Sequence, residues 1–532
     1  MSKGYLALVL HAHLPFVRHP EHLDHLEERW LFEAITETYI PLLHVYQGLV
    51  RDGVPFKISM SITPPLANML ADGLLQERYL RHLNNLIELS EKELDRTNRE
   101  EPHFRPLAEM YHQMFLETRH TFADKFGCDL IKAFRQLLDQ GSLEILTCAA
   151  THGFLPMMQY HPEAVRAQIR TAVDDYSRHF GRRPKGIWLP ECGYYPGLDA
   201  FLAEAGLRYF IVDTHGLEYA EPRPVYGVFA PVFCPSGVAA FARDKESSKQ
   251  VWSSEEGYPG DFDYREFYRD IGFDLPFEYI KKHIHPDGIR INTGMKYFRI
   301  TGSQGLDHRD LYHRGRAMEK AAMHAGNFMF NRERQIEWLS EGMDRKPIIL
   351  SPYDAELFGH WWFEGPDFLN FLIRKTAYDQ STYSLTTLKD YLEEYDENQV
   401  AVPAASSWGD KGYYEVWING ANDWMYPHLN HAVERMRDLA LHPRRNEPLV
   451  ARAIRQAMRE LLLAQSSDWA FIITTKTSVD YAIRRCDSHL ERFNELCSQV
   501  QAGIINEEYL KDLEAKDNVF PRINLDHFAP WK

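Results

Sequence analysis

Six short stretches of the chain are rich in apolar and β-branched residues: Tyr5–Leu10, Phe56–Ile62, Leu143–Thr147, Gly186–Leu189, Tyr209–Val212 and Pro347–Leu350. Short runs of this kind predict strands buried in a parallel sheet covered by helices. Several of the segments between them carry a helical period. Pro162–Phe180 opens with a proline suited to a first helical turn, sets Val165, Ile169, Val173 and Tyr176 on one face, and stops at Gly181. Strands alternating with helices predict an α/β fold, a parallel sheet or barrel. Two regions break the rhythm. Gln76–Gln140 holds no strand pattern, is rich in Leu, Glu, Arg and His, and reads as an inserted helical subdomain interrupted near Pro102 to Pro106. From about Ala421 onward the pattern is helical again, with apolar residues at i, i+3, i+4 and i+7 in Ala451–Leu463 and Ser478–Val500. Pro222–Asp263, spotted with Gly, Pro and Ser, is too long for an ordinary connection and is expected to form an active-site loop.

Composition narrows the picture. A length of 532 residues predicts two or three structural units. A net charge of −16 argues against nucleic acid, or any polyphosphate held by bulk charge, as a partner. Residues 1–10 fit a buried first strand better than a signal peptide, and no window approaches the roughly 18 apolar residues of a membrane span, so no membrane partner is expected. Six scattered cysteines without a CxxC pair point to a reduced, cytoplasmic setting. The aromatic content, 30 Phe, 28 Tyr and 11 Trp, is high enough to furnish flat faces for sugar rings as well as a core.

In parallel α/β folds, chemistry gathers where the strands end at their C-termini. The predicted strands run into His11-Ala12-His13, Thr151-His152-Gly153, Pro190-Glu191-Cys192, Asp213-Thr214-His215 and Tyr353-Asp354-Ala355-Glu356. Five strand ends with titratable groups predict one active-site face. Glu191 and Asp354, each delivered by an apolar run and followed by aromatic residues, are the foremost acids, with helix capping as the competing role for each. Glu356 competes with Asp354 or supports it. Two carboxylates opposed across a pocket suit glycosidic-bond chemistry, one ionised and attacking, the other protonated and donating. Two other classes stay open. His11 and His13, alternate residues of one strand, point the same way and suit a shared metal, with His152, Asp213, His215 and His360 as further ligands of an amidohydrolase-like site. A carbohydrate-binding protein without turnover would keep the aromatic cleft and dispense with the acids.

The segments HAHLP, GIWLPECGYYPGLDAFLAEAGLRYFIVDTHG and SPYDAELFGHWWFEGPDFL closely resemble the signature regions of glycoside hydrolase family 57. The likeness extends through YREFYRDIG, SSWGDKGYYEVWIN and SSDWAFI, and the helical C-terminal part resembles the family's 1,4-α-glucan branching enzymes. The resemblance implies an incomplete (β/α)7 barrel over 1–75 and 141–400, the helical insertion at 76–140, and a helical domain over 401–532. It implies Glu191 as nucleophile, Asp354 as general acid/base, and His11, His13 and Asp213 around the sugar. Trp408, Trp417 and Asp468 become substrate contacts, with Arg265 a further one. His152, Trp252 and Trp361 complete the expected sugar-binding set, and Tyr226 is the expected tip of a lid formed by Pro222–Asp263. Core packing competes for every tryptophan, more strongly for Trp361 and Trp362 than for Trp408 and Trp417. The family needs no metal or cofactor, and the partner implied is an α-glucan such as amylose or a glycogen-like polymer. Hydrolysis by an α-amylase and linear transfer by a 4-α-glucanotransferase are the alternatives within the family. One departure stands out: many members carry His-Gln-Pro where this chain has His-Ala-His, which bears on the role of His13.

Overall fold

The computed structural model describes residues 2–252, 257–302 and 309–528. The six apolar runs all become strands: β1 (Gly4–Ala12), β2 (Ile58–Ile62), β3 (Leu143–Leu146), β4 (Gly186–Ile187), β5 (Tyr209–Val212) and β8 (Ile348–Asp354). Three further strands fall outside those runs: β6 (Val232–Phe233), β7 (Ala239–Ala242) and β9 (Tyr383–Leu385). One sheet runs β3-β2-β1-β8, with β9 also paired to the start of β1; the other runs β4-β5-β7-β6. All pairings are parallel except β6 with β7. The Thr147–Ile187 bridge links β3 to β4, and Asp244 N–H donates to Leu350 O of β8 at 2.8 Å just past β7. The protein is thus a mixed α/β fold on a parallel sheet. β1 lies at its centre and is buried along nearly its whole length, as its unbroken apolar run requires.

Pro222–Asp263 is not the open loop that its Gly, Pro and Ser content suggests. It contains β6, β7 and the helix Lys245–Trp252, while residues 253–256 lie outside the described residues. Ala239-Ala-Phe-Ala escapes a β-propensity reading because alanine is a weak strand former; burial against β5 overrides this. Tyr226 is not the tip of a lid. Its hydroxyl donates to Asp344 Oδ1 at 2.6 Å, four residues before β8 begins, so it lies at the N-terminal end of the strands, away from the predicted chemistry.

Helices Gly73–Arg99 and Arg105–Arg119 form an antiparallel pair, broken at Pro102 as the sequence predicts. The pair packs on the largely irregular segment 258–302, through Tyr111 Oη donating to Lys296 O (2.8 Å) and Tyr297 Oη donating to Glu93 Oε2 (2.9 Å). The C-terminal helices Met425–Ala440, Pro448–Ala464, Ser467–Thr475, Val479–Ala502 and Glu507–Lys516 pack on one another and lean on Pro162–Phe180. Residues 401–419 precede them without a long helix and pair with the sheet side at Val402–Glu221 and Ser406–Tyr194.

Candidate active site

Strand register explains the first layer of contacts. His11 of β1 lies level with Ser61 of β2 on one side and with Asp354 of β8 on the other. His11 Nδ1 meets Ser61 Oγ at 2.5 Å, and two residues on, His13 Nδ1 meets Thr63 Oγ1 at 3.0 Å. His11 stacks on Trp188, His13 stacks on His152 (centroids 3.7 Å apart), and His11 Nε2 lies 3.0 Å from His152 Nε2. Asp468, in the first turn of the helix Ser467–Thr475, takes His13 Nε2–H at 3.0 and 3.1 Å.

Glu191 follows β4 in a tight turn whose backbone is left-handed at two successive residues, Glu191 (φ 60°) and Cys192 (φ 50°); His152 is left-handed as well (φ 58°). Each such non-glycine residue costs about 1–3 kcal/mol and persists where the surroundings over-determine it, as at functional sites. Gly193 lets the turn close: a Cβ there would stand 2.5 Å from the Phe154 ring. The Glu191 carboxylate accepts Trp408 Nε1–H at 2.8 Å and the Ser467 hydroxyl at 3.0 Å. Asp354 ends β8 differently. No hydrogen bond from a described residue reaches its carboxylate. Its neighbour Glu356 is held by Tyr39 Oη at 2.5 Å and by His13 N–H at 3.3 Å.

A π-helical turn, Ile35–Tyr39, grips the segment after Asp354 with three consecutive side chains. Glu37 accepts His360 Nδ1–H at 2.8 Å, Thr38 Oγ1 accepts His360 N–H at 3.2 Å, and Tyr39 bonds Glu356. Gly359 permits the approach, since a Cβ there would lie 1.8 Å from Glu37 O. Such turns recur at functional sites; nothing in the pattern of ITETY announces one.

The charges divide the two acids. Burial raises Asp354 well above the usual carboxylate range, and the charges of Glu356 and Glu191 raise it further. Burial and the charge of Asp468 also raise Glu191, but its bonds from Trp408 and Ser467 and its attraction to His13 work the other way and favour the ionised form. Burial lowers His13, but the charge and hydrogen bond of Asp468, with the charges of Glu191 and Glu356, together raise it, which favours an imidazolium paired with Asp468. Burial and neighbouring histidines hold His11 and His152 neutral. The surroundings thus favour the charge on Glu191 more than on Asp354, where burial and both neighbouring carboxylates oppose it.

The remaining predicted residues divide. Asp213 lies beside the turn of Glu191 but is engaged within the protein: it caps Thr214 N–H (2.6 Å) and pairs with Arg243 (2.6 Å). Trp252, 37% exposed, meets Trp408 edge to face at 6.0 Å and borders the site. Trp361 is 54% exposed, stacked on Phe267 at 4.4 Å, and offers a free face. The balance predicted for the tryptophans is therefore reversed at two positions, since Trp417, 1% exposed and stacked on Phe154, is core. Arg265 is not a sugar contact. Its guanidinium is sealed over the Phe363 ring (3.9 Å), against Glu37 (3.7 Å), Gly294 O (3.2 Å) and Tyr111 (3.5 Å). Sequence reasoning missed Ser61, Thr63, Tyr39, Arg243 and Ser467.

Among the described residues two groups bring possible metal ligands within 4.8 Å of one another: His13, His152 and Asp468, and the buried Glu460, His489 and Asp517. In the first, both ring nitrogens of each histidine already hold hydrogen bonds, so a cation would have to displace Ser467, His11, Thr63 or Asp468. His215 and His360, the other predicted ligands, bond Gly412 O and Glu37 instead.

Residues 7–333, most of the strand-bearing part, match glycosyl hydrolase family 57. The chain belongs to that family. Residues 428–528 of this family 57 chain match the C-terminal region of 1,4-alpha-glucan branching enzymes. A 1,4-alpha-glucan branching enzyme of Thermococcus kodakarensis is 36% identical over 97% of this chain and 77% of its own. Its crystal structure, in complex with glucose, superposes with a TM-score of 0.88 at 35% identity, covering 100% of this chain and 97% of the other. The structure of an alpha-amylase, AmyC from Thermotoga maritima, superposes at 0.93 with 47% identity, covering 100% of both chains.

Proposed function

We propose that the protein is a retaining 1,4-α-glucan branching enzyme in which Glu191 is the nucleophile and Asp354 the general acid/base. The observation that carries the roles is the unequal dressing of the two acids: Glu191 holds two donors, Asp354 none from a described residue. The family membership and the branching-enzyme C-terminal match carry the activity. Glu191 attacks the anomeric carbon of an α-1,4-linked chain, the C1–O4 bond breaks, and Asp354 gives its proton to the departing O4. Asp354, now ionised, takes the proton of an acceptor 6-hydroxyl. That oxygen displaces Glu191 from C1, leaving an α-1,6 branch and both acids as they began. Two displacements at C1 retain configuration. His11, His13, His152, Asp213, Trp252, Trp361, Trp408 and Asp468 form or support the surface around the sugar.

The strand order β8-β1-β2-β3-β4-β5-β7, with the Thr147–Ile187 bridge and the Asp244–Leu350 bond at its seams, supports an incomplete seven-stranded barrel. We assign 1–75 and 141–400 to it, 76–140 to a helical insertion and 401–532 to a C-terminal domain. Six unpaired cysteines support a reduced, cytoplasmic setting, and no helix among the described residues is long and apolar enough to cross a membrane.

The 47% identity to a structure named as an α-amylase favours a second reading, hydrolysis of the same substrate. Incubation with amylose and linkage analysis of the products separates them. New α-1,6 linkages with few new reducing ends are expected. Reducing ends without α-1,6 linkages would establish the amylase, and linear chains of altered length a 4-α-glucanotransferase.

A further inference from the structure

Four hydrogen bonds run in series from β2 to Glu191. Ser61 Oγ lies 2.5 Å from His11 Nδ1, His11 Nε2 lies 3.0 Å from His152 Nε2, His152 Nδ1 lies 2.8 Å from Ser467 Oγ, and Ser467 Oγ lies 3.0 Å from Glu191 Oε1. Ser61, His11, His152 and Ser467 are all buried. The last member fixes the direction of the whole series. An ionised carboxylate only accepts, so Ser467 must give it the one hydrogen its hydroxyl has. Ser467 Oγ then only accepts from His152, which must carry its hydrogen on Nδ1. A neutral imidazole has one N–H, so His152 Nε2 is bare and accepts from His11 Nε2–H. His11 Nδ1 is bare in turn and accepts from Ser61. Every donor meets an acceptor with none left over, and both histidines are neutral.

We infer that Ser467 is a positioning residue for the nucleophile: it orients and stabilises the ionised Glu191 while locking His152 in its Nδ1–H form and His11 in its Nε2–H form. The inference rests on the nucleophile assignment above. Ser467 opens a helix of the C-terminal region, and its N–H donates to His152 O at 3.0 Å, so backbone and side chain both join that region to the strand ends. The charged and titratable groups facing the series are His13, stacked on His152, and its partner Asp468. Asp354 and Glu356 lie on the β8 side, and Trp408 is the other donor to Glu191.

Two readouts on the full-length enzyme test this. In 15N-histidine-labelled protein at neutral pH, His152 should give the Nδ1–H tautomer pattern, assigned by its loss in His152→Gln or, if that variant fails to fold, read directly by neutron diffraction. A resting enzyme with the hydrogen of His152 on Nε2 overturns the proposal whatever the variants do. In kinetics, Ser467→Ala should lower kcat about ten- to a hundredfold, as loss of one hydrogen bond to a buried charged group does. KM should stay nearly constant and the acidic limb of the pH profile should move to higher pH. Ser467→Thr, which keeps the hydroxyl, should recover most of the loss and the limb position. An acidic limb unmoved in a folded Ser467→Ala enzyme also overturns the proposal. The tautomer is read without turnover, so it is independent of whether the products are branches or short chains; failure of the nucleophile role itself appears separately, as covalent labelling at another residue.

Discussion

Glu191 sits in a strained left-handed turn and accepts hydrogen bonds from Trp408 and Ser467, whereas Asp354 leaves an extended strand with no donor from a described residue and with Glu356 close behind it. Both acids are buried enough to be raised by desolvation. What separates them is the company they keep. Donors favour a charge and a neighbouring carboxylate opposes one, so the loops after β4 and β8 turn two similar side chains into an attacker and a proton donor.

Removing the attacker is the sharpest break. Glu191→Gln should cut kcat by roughly 10³-fold or more while the thermal unfolding midpoint stays near wild type, because a covalent route is closed without loss of packing. Activity within tenfold of wild type would end the comparison. Asp354→Ala should lower turnover of amylose by about 10²–10⁴-fold. Substrates with good leaving groups should suffer far less, since departure then needs no proton, and azide should rescue part of the rate.

Two milder variants should move opposite limbs of the pH profile of kcat/KM. Activity needs Glu191 ionised, so it is lost as pH falls through the Glu191 pKa. It also needs Asp354 protonated, so it is lost as pH rises through the Asp354 pKa. Trp408→Phe removes a donor that favours the Glu191 charge, so the acidic limb should shift to higher pH with the basic limb in place. Glu356→Gln removes a charge that raises Asp354, so the basic limb should shift to lower pH with the acidic limb in place. Both variants moving the same limb would refute the division of labour. The smallest effect is expected from chelation. EDTA should leave the rate unchanged, because the histidine nitrogens of the site are held by hydrogen bonds.

Much of this arrangement is legible in the chain, and what is not has a physical reason. Strand ends announce themselves because a buried parallel strand is an unbroken apolar run, so the positions of His11, Glu191 and Asp354 follow from pattern. β7 escapes the same test because its alanines carry no strand signature. Ser467 escapes for another reason: its partner Glu191 is 276 residues away, and a serine before an aspartate at a helix start looks like local capping. The π-helical turn at Ile35–Tyr39 is defined by what it grips, not by a period of its own. Arg265 and Trp417 show the opposite error. Both lie in segments resembling family signatures, and both are fixed in the interior, Arg265 over Phe363 and Trp417 against Phe154. A signature segment holds scaffold as well as chemistry, and exposure separates the two: Trp361, whose neighbour Trp362 is buried, has the open face.

The division between the two acids is tested most directly by trapping. Treatment of the Asp354→Ala enzyme with an activated fluoro-α-glucosyl fluoride, followed by peptide mass analysis, should find one sugar esterified to Glu191. A label on Glu356, or none on an enzyme that still binds glucan, would contradict the account.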